Sequence, residues 1–342
     1  MIHDGLEFHN IVELVEVEGE KGLRIQRAPE SVRKLVNEGT AGVMMSPAGS
    51  EIRFRLADGC DSATVTLSSK DGATGYIYHG PFQGGSFVLG AEPKDIEVTR
   101  SKRASLLTKE DYPGAQYDPN LFRLIFGGVY PEPVMYHGHS EGIVLPREGD
   151  VPKRTYLAYG SSITHGTELI GGAISYPAHV AWKLGYDCRN LGASGCCLCE
   201  PEFADFLAEQ KADLVTLELS VNMLGSQFTA EDFRKRAGYL VERIADADPE
   251  RQVVCITIFT HYNDINPRYC SGNDKATAGE IRQVLRDIVK HLARPNLHIM
   301  EGPELLGDIG GLTQDLIHPG ARGMIQIGEE LARRIKAEIL QG

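Results

Sequence analysis

A serine near the middle of the chain and an aspartate–histidine pair near its end have the residue types of a nucleophilic site. Ser162 lies in a Gly-Ser-Ser-Ile segment at 160–163, directly after an apolar run, and Asp315 lies three residues before His318. A serine hydroxyl becomes nucleophilic when an imidazole accepts its proton, and a carboxylate holds that imidazole in the correct tautomer. These residue types predict acyl transfer through a serine, provided that the fold brings the two segments together.

The elements that must position them lie in the second half of the chain, where apolar runs alternate with amphipathic helices. This alternation predicts a three-layer α/β domain with a parallel sheet and helical crossovers. In such sheets the reactive residues lie at the carboxyl ends of the strands. We predict strands at 154–159, 187–191, 213–219, 252–259 and 296–300, and helices at 176–184, 201–210, 229–247, 276–293 and 322–340.

The first 150 residues have the pattern of β structure. Residues 51–56 alternate polar and apolar side chains, as a half-buried strand does. Closely spaced short strands separated by turn residues predict a β-sandwich of jelly-roll type. Because 342 residues exceed what one core usually holds, we expect one domain at 1–150 and a second at 151–342. The further strands are predicted at 63–67, 75–79, 86–89, 95–99 and 121–126.

Charge and composition exclude several classes of protein. Asp and Glu outnumber Lys and Arg by 47 to 35, and a net charge of −12 argues against binding to nucleic acid or to an anionic membrane surface. We find no signal peptide and no apolar run of about 20 residues. The seven cysteines have no framework spacing, which favours reduced thiols and a cytoplasmic location. An oligomer remains possible.

Four short segments, taken together, resemble the SGNH (GDSL-type) hydrolases in their order and spacing. The Gly-Ser-Ser-Ile-Thr sequence of the first segment is similar to one branch of that family, whose members often carry an N-terminal β-domain. The resemblance covers the whole second half and implies a flavodoxin-like SGNH hydrolase domain at 151–342. The segments are 160–164, 190–195, 219–222 and 315–319.

The resemblance also implies a role for each site residue. Ser162 would be the nucleophile, His318 the base and Asp315 the group that orients the base. The backbone N–H groups of Ser162 and Gly195, with the side-chain amide of Asn222, would form an oxyanion hole. Three such donors stabilise an alkoxide, and removing one typically costs about 10²–10³ in rate. The resemblance implies neither a metal nor an organic cofactor.

Two positions depart from the commoner family pattern. Ser161 stands where aspartate is usual. The third segment usually reads Gly-x-Asn-Asp, whereas here Ser220 precedes and Met223 follows the retained Asn222. The hydrogen bonding that orients this asparagine therefore has to differ from the usual pattern.

Two other motifs compete for a chemical role. The segment 138–142 matches the G-x-S-x-G nucleophile elbow around Ser140, but an elbow needs a following helix, and Pro146 and Gly149 break the next segment. We therefore predict a loop. Cys196, Cys197 and Cys199, with Cys188 nearby, could bind a metal or exchange disulfides. Because no second ligand pair exists, buried inert thiols are the better interpretation.

Isolated histidines and a dense set of aromatic residues invite functional interpretations as well. His165 and His261 could face the pocket, although single histidines more often cap or pack, and His137 and His139 could be structural. The aromatic residues could form a carbohydrate-stacking face, but a sandwich core explains them better. They are Tyr76, Tyr78, Phe82, Phe122, Phe126, Tyr130 and Tyr136.

The resemblance thus implies a serine esterase that hydrolyses short acyl esters such as acetyl esters, possibly of carbohydrates, through an acyl-Ser162 intermediate. An acyltransferase using the same intermediate is one alternative. A catalytically inactive carbohydrate-binding protein is another, against which the intact Ser162, Asn222, Asp315 and His318 argue. The expected partner is a small-molecule or carbohydrate ester.

Overall fold

Two antiparallel sheets form the first part of the computed structural model, which describes residues 1–112, 114–127, 132–166, 174–225, 227–266 and 274–340. One sheet has the order β1-β2-β5-β10-β7-β8, with β12 paired to β5, and the other has the order β3-β4-β11-β6-β9. The strands are β1 (Ile2–His3), β2 (Leu6–His9), β3 (Glu13–Glu16), β4 (Leu23–Gln26), β5 (Glu51–Leu56), β6 (Ser62–Ser68), β7 (Ala73–His79), β8 (Phe82–Leu89), β9 (Lys94–Thr99), β10 (Phe122–Gly127), β11 (Met135–His139) and β12 (Ile143–Val144).

Apolar side chains from both sheets share one core, so the predicted β-sandwich is confirmed. Phe54 and Phe122 from one sheet are buried in the same cluster as Val65 and Ile96 from the other. Each run that we predicted from alternation corresponds to an observed strand. The strands β1 to β4, β11 and β12 were not predicted, because segments of two to five residues are too short to display the alternation.

The predicted parallel sheet is also confirmed. Its order is β14-β13-β15-β16-β17 with every neighbouring pair parallel, which is the 2-1-3-4-5 order of flavodoxin-like folds. In that order the carboxyl ends of β13 and β15 meet next to the point where the chain changes direction across the sheet. The strands are β13 (Thr155–Tyr159), β14 (Asp187–Asn190), β15 (Leu214–Glu218), β16 (Gln252–Ile256) and β17 (Leu297–Met300).

Helices flank this sheet and follow the predicted positions. A capping box between Thr229 and Asp232 begins α6, and the last helix ends at Arg334 in a π-helical turn at Ile335–Ile339. No described helix is both long enough and apolar enough to cross a membrane. The helices are α1 (Glu30–Arg33), α2 (Glu38–Val43), α3 (Ser162–His165), α4 (Tyr176–Leu184), α5 (Pro201–Glu209), α6 (Ala230–Ala247), α7 (Tyr262–Ile265), α8 (Ala278–Leu292), α9 (Gly302–Leu305) and α10 (Ala321–Arg334).

The segment that carries α1 and α2 packs on the parallel-sheet half, although it lies within the first 150 residues. Ala28 and Met44 are fully buried in the core cluster of that half. Arg27, also fully buried, donates to the carbonyl oxygens of Asn190 and Gly192 at 3.0 and 3.1 Å, and burial lowers its pKa to about 9. Residue 150 therefore separates the sheets, but the core of the parallel-sheet half includes residues from before it.

A buried ion-pair network joins the two halves. The Arg53 guanidinium, on β5, donates to both carboxylate oxygens of Asp187 at 2.8 and 2.7 Å and to Glu51 at 2.7 Å. Arg123 pairs with the same Glu51 and lies 3.6 Å from the ring centre of Tyr117. Burial opposes ionisation of Asp187, but the charges of Arg53 and His9 and the hydrogen bonds from Arg53 together outweigh it and lower the pKa of that carboxyl. The interface therefore depends on Asp187 being ionised.

Asp187→Asn should destabilise the protein, because it leaves the Arg53 charge buried with only part of its compensation. Breaking a buried pair costs about 3–5 kcal/mol, and the retained Glu51 places the expected loss at the lower end. The measurement is urea unfolding followed by circular dichroism.

Two comparisons sharpen that measurement. Because the folded pKa of Asp187 is lowered, its contribution is present above the ordinary aspartate value and is lost as pH falls through the folded value, so the deficit of the variant should shrink in acid. The control is Asp205→Asn, whose partner Arg243 is exposed, and it should shift the midpoint far less. Equal losses of unfolding free energy in Asp187→Asn and Asp205→Asn would contradict the conclusion that the buried network stabilises the interface.

Candidate active site

The predicted nucleophile lies at the start of a short helix at the carboxyl end of β13. Ser162 is the first residue of α3, and its hydroxyl oxygen lies 2.7 Å from Nε2 of His318. The neighbouring Ser161 is the residue that caps the helix, since its side chain accepts from the backbone N–H of Ile163. The hydroxyl of Ser162 is therefore not used for capping.

Asp315 holds the histidine on its other side. Its Oδ2 lies 2.6 Å from Nδ1 of His318, while Oδ1 accepts from the backbone N–H groups of Ile317 and His318 and from the Thr313 hydroxyl, all within 2.9 Å. Burial opposes ionisation, but these donors outweigh it and hold the pKa of Asp315 well below its usual range. A charged Asp315 keeps the ring proton on Nδ1, so Nε2 can accept the Ser162 proton.

The loop that carries Asp315 and His318 is anchored by its backbone. Leu316 has a φ of +57°, in the left-handed region, and its carbonyl oxygen accepts from the N–H of Tyr262 at 2.8 Å. His261 caps α7 through its ring, so its role in the structure is the capping one. Asp315 and His318 are thus held by the backbone at the start of α7 as well as by the hydrogen bonds of their own turn.

The loops after β14 and β15 hold two of the three predicted oxyanion donors, Gly195 and Asn222. Asn222 accepts from the backbone N–H of Cys197 through Oδ1 at 3.1 Å, which leaves its amide nitrogen without a partner among the described residues. The hydroxyl of Ser220 donates to the carbonyl of the same cysteine at 2.5 Å. Gly195 is exposed and has a φ of +70°. The backbone of Cys197 therefore orients Asn222, a contact that could not be predicted from the sequence of segment 219–222.

Sequence reasoning missed Glu218, a carboxylate that contacts residues on both sides of the predicted nucleophile. This last residue of β15 is fully buried, and its Oε2 accepts from the backbone N–H and the hydroxyl of Ser161 at 2.7 and 2.6 Å and from the Thr164 hydroxyl at 3.2 Å. Burial raises its pKa to about 7 in spite of these bonds. The signal was available, because a glutamate in an otherwise apolar run is unusual for a buried strand.

Close backbone packing fixes the position of α3. A Cβ on Gly192 would collide with the backbone of Thr164 and His165, and one on Gly160 would collide with the side chains of Thr164 and Glu218. Asn190 adds a hydrogen bond to the Thr164 carbonyl at 2.7 Å. The short helix therefore rests directly on two neighbouring loops.

The competing elbow motif is a loop of the sandwich, as predicted. Ser140 follows β11, its hydroxyl oxygen accepts from the N–H of Thr64 at 2.9 Å, and β12 rather than a helix comes next. The ring nitrogens of His137 and His139 bond Ser68 and the backbone of Asp4 and Ser140, so both have structural contacts.

The cysteines after Gly195 are thiols packed below the loop. Cys197 and Cys199 are fully buried, and burial raises the pKa of Cys196 and of Cys197, which disfavours thiolates. Within the described ranges, no group of three His, Cys, Asp or Glu side chains could hold a metal ion. These observations favour the interpretation as inert thiols.

The remaining predictions concern buried rings. His165 is buried, and neither of its ring nitrogens has a partner in the described part of the chain. Burial together with the Arg27 charge lowers its pKa well below the usual value, so it is neutral. Phe122, Phe126 and Tyr136 lie in the sandwich core. Tyr76 and Tyr78 are partly exposed and Phe82 is 38% exposed, so the sandwich-core interpretation is wrong for these three. Tyr130 lies outside the described residues.

Gly192→Ala should displace α3, because the added methyl group meets backbone atoms that cannot move independently. We expect a loss of about 1–3 kcal/mol, typical of overpacking, together with slower modification of Ser162 by a serine-directed reagent. Thermal melting and labelling kinetics measure the two effects. Gly238→Ala on α6, where nothing lies within 4 Å, is the matched control and should be neutral or slightly stabilising. Unchanged labelling in the Gly192 variant would contradict this account.

Comparisons with known proteins agree with the fold described above. The chain resembles the structure of a salicylyl-acyltransferase from a tetracycline biosynthetic pathway (TM-score 0.76, 18% identity, covering 97% of this chain and 94% of that one). It also resembles a family two carbohydrate esterase from Clostridium thermocellum in complex with cellohexaose (TM-score 0.65, 13% identity, 98% and 99% covered). A third is an acetyl xylan esterase from the rumen bacterium Butyrivibrio proteoclasticus (TM-score 0.61, 11% identity, 100% and 98% covered).

At these identities the structures show a shared fold, with both halves of the chain included. A comparison with curated protein sequences finds no match. A family model matches residues 153–336, which is more than half of the chain and includes all of the segments around Ser162, Asn222 and His318. On this match, the chain belongs to the GDSL-like lipase/acylhydrolase family.

Proposed function

We propose that this protein is a serine esterase that hydrolyses short acyl esters, with acetyl esters of carbohydrates as the first substrate class to examine. The observation that carries the proposal is the continuous hydrogen-bonded chain from Asp315 through His318 to the hydroxyl of Ser162. Such a chain activates a serine for attack on a carbonyl carbon.

The mechanism follows from the protonation state of that chain. Nε2 of His318 accepts the hydroxyl proton as the Ser162 oxygen bonds to the carbonyl carbon, and the carbonyl oxygen becomes an oxyanion. The N–H groups of Ser162 and Gly195 and the amide of Asn222 would stabilise that charge. The ester C–O bond then breaks, and His318 returns its proton to the departing alcohol.

Water completes the cycle by the reverse route. It attacks the acyl carbon while His318 accepts one of its protons, and collapse of the second tetrahedral intermediate returns that proton to the Ser162 oxygen. The carboxylic acid leaves and the free enzyme is restored. Asp315 stays ionised throughout, because its lowered pKa keeps it a carboxylate while the imidazolium forms.

The substrate class rests on similarity. Two of the similar structures named above are a family two carbohydrate esterase and an acetyl xylan esterase. A third is described as an acyltransferase, in which an acceptor hydroxyl takes the place of water. The same acyl-Ser162 intermediate serves both outcomes, so the fate of the acyl group has to be measured.

The first experiment is labelling with a fluorophosphonate, followed by peptide mass spectrometry and an assay on acetylated sugars. We expect one adduct on Ser162, release of acetate, and loss of both in Ser162→Ala with an unchanged melting temperature. Acetyl transfer to an added alcohol in preference to water would instead assign the acyltransferase. Glycan binding without labelling or turnover would overturn the proposal in favour of a binding protein.

His318→Ala and Asp315→Ala should differ in severity. Removing a general base typically costs about 10²–10⁴ in rate, and we expect this range for His318→Ala in kcat. Asp315→Ala should cost less, because Asp315 orients the ring and transfers no proton. The control is His291→Ala on the exposed end of α8, which should leave kcat unchanged. A smaller loss from His318→Ala than from Asp315→Ala would contradict these roles.

A further inference from the structure

Glu218 connects the third strand of the sheet to both ends of the helix that carries Ser162. It accepts from Ser161, which precedes the nucleophile, and from Thr164, which follows it by two residues. The parallel pairing of β13 with β15 places Tyr159 opposite Leu217, so the next residues of each strand are neighbours. The carboxylate is therefore held by strand register and not by a mobile loop.

The two oxygens of Glu218 have very different surroundings. Oε2 accepts all three hydrogen bonds, whereas Oε1 is buried and has no partner among the residues that the structure describes. A proton on Oε1 would find no acceptor, and a charge on the carboxylate is stabilised by three donors but opposed by burial. Neither protonation state is fully satisfied, and as a result the pKa of Glu218 rises only to about 7.

The groups that face Glu218 from neighbouring elements limit which charges it can interact with. Besides Ser161 and Thr164 on α3, these are Tyr176 on α4, Cys197 in the loop after β14 and His318 in the loop before α10. Burial raises the pKa of Tyr176 and of Cys197, so both are neutral near neutral pH. Of these groups, His318 is the one that becomes a cation when it accepts the serine proton.

We propose that Glu218 is a positioning residue for Ser162 that acts in its ionised form. It holds α3 through Ser161 and Thr164, and its negative charge stabilises the imidazolium that forms on His318 as Ser162 attacks. The second part rests on the proposed function, since it assigns His318 as the base. The first part stands on the hydrogen bonds alone.

The sign of the pH dependence separates this role from a purely structural one. A folded pKa raised above the ordinary glutamate value means that the folded protein binds a proton that the unfolded chain has already lost. The stability contributed by Glu218 is therefore complete below the ordinary value and is lost as pH rises through about 7. Its contribution to catalysis has the opposite sign, because the charged form exists above that pH.

Glu218→Gln tests the charge with almost no change in size. The measurement is the rate at which a fluorophosphonate labels Ser162, which needs no knowledge of the natural ester. At about pH 5.5 Glu218 is protonated, so wild type and variant should label at similar rates. The wild-type to variant ratio should rise with pH to about tenfold near pH 8.5, the equivalent of one pKa unit of interaction between two coupled groups. A ratio independent of pH would overturn the role of the charge.

Two further variants make that result specific. Glu301→Gln, at the end of β17, is the matched control, since Glu301 pairs with Arg286 and its pKa is lowered by that hydrogen bond. The ratio of the wild-type labelling rate to that of Glu301→Gln should stay near one across the pH range. Glu218→Asp keeps the charge but moves the carboxylate away from Ser161. Ser162 should therefore be labelled more slowly at every pH, while the labelling rate should still depend on pH as it does in wild type. An Asp variant that behaves like the Gln variant would contradict positioning through Ser161.

Melting temperatures test the ionisation without any activity. Glu218→Gln should be more stable relative to wild type at about pH 8 than at about pH 5, because only wild type loses stability as Glu218 ionises. If wild type is not labelled at Ser162, the proposed function fails, and the melting difference still decides whether Glu218 titrates. A difference that does not change with pH would overturn the inference on its own.

Discussion

The parallel pairing of β13 with β15 is the constraint on which the site depends. Its register sets Tyr159 opposite Leu217, so that the turn after one strand lies over the last residue of the other. The hydrogen bonds of a parallel ladder are evenly spaced, and a slip by one residue would turn Glu218 away from Ser161. The predicted nucleophile is thus placed by the backbone pairing of two buried strands.

Sequence patterns could indicate the candidate site residues because their positions follow from the order of strands. Ser162, Asn222 and His318 lie at one edge of a parallel sheet, the first at the start of α3 and the other two in connecting segments. Such positions can be located once the alternation of strands and helices is recognised. The orientation of Asn222 could not be predicted. It depends on a hydrogen bond from the backbone N–H of Cys197. The type of a residue does not indicate which acceptor its backbone N–H binds.

The contacts between the sandwich half and the parallel-sheet half could not be predicted from the sequence, for a different reason. Its strands could be predicted from local alternation, but its contacts with the other half involve residues far apart in the chain. Arg27 and Asn10 both donate to the carbonyl of Asn190, and the side chain of Asn190 bonds the Thr164 carbonyl on α3. A fully buried arginine would be costly without such partners, yet the sequence does not show which carbonyls they are.

The contribution of residues 27–46 to the second core bears on how the chain folds. A core completed by a segment from the other half cannot reach its native packing until both halves are present, so folding of the two is thermodynamically coupled. A cooperative folding unit consists of residues that bury one another. Its boundary can therefore differ from the one that the sequence pattern predicts near residue 150. Cleavage near residue 150 would accordingly yield a nicked complex that remains associated, and two independently folding modules would not be released.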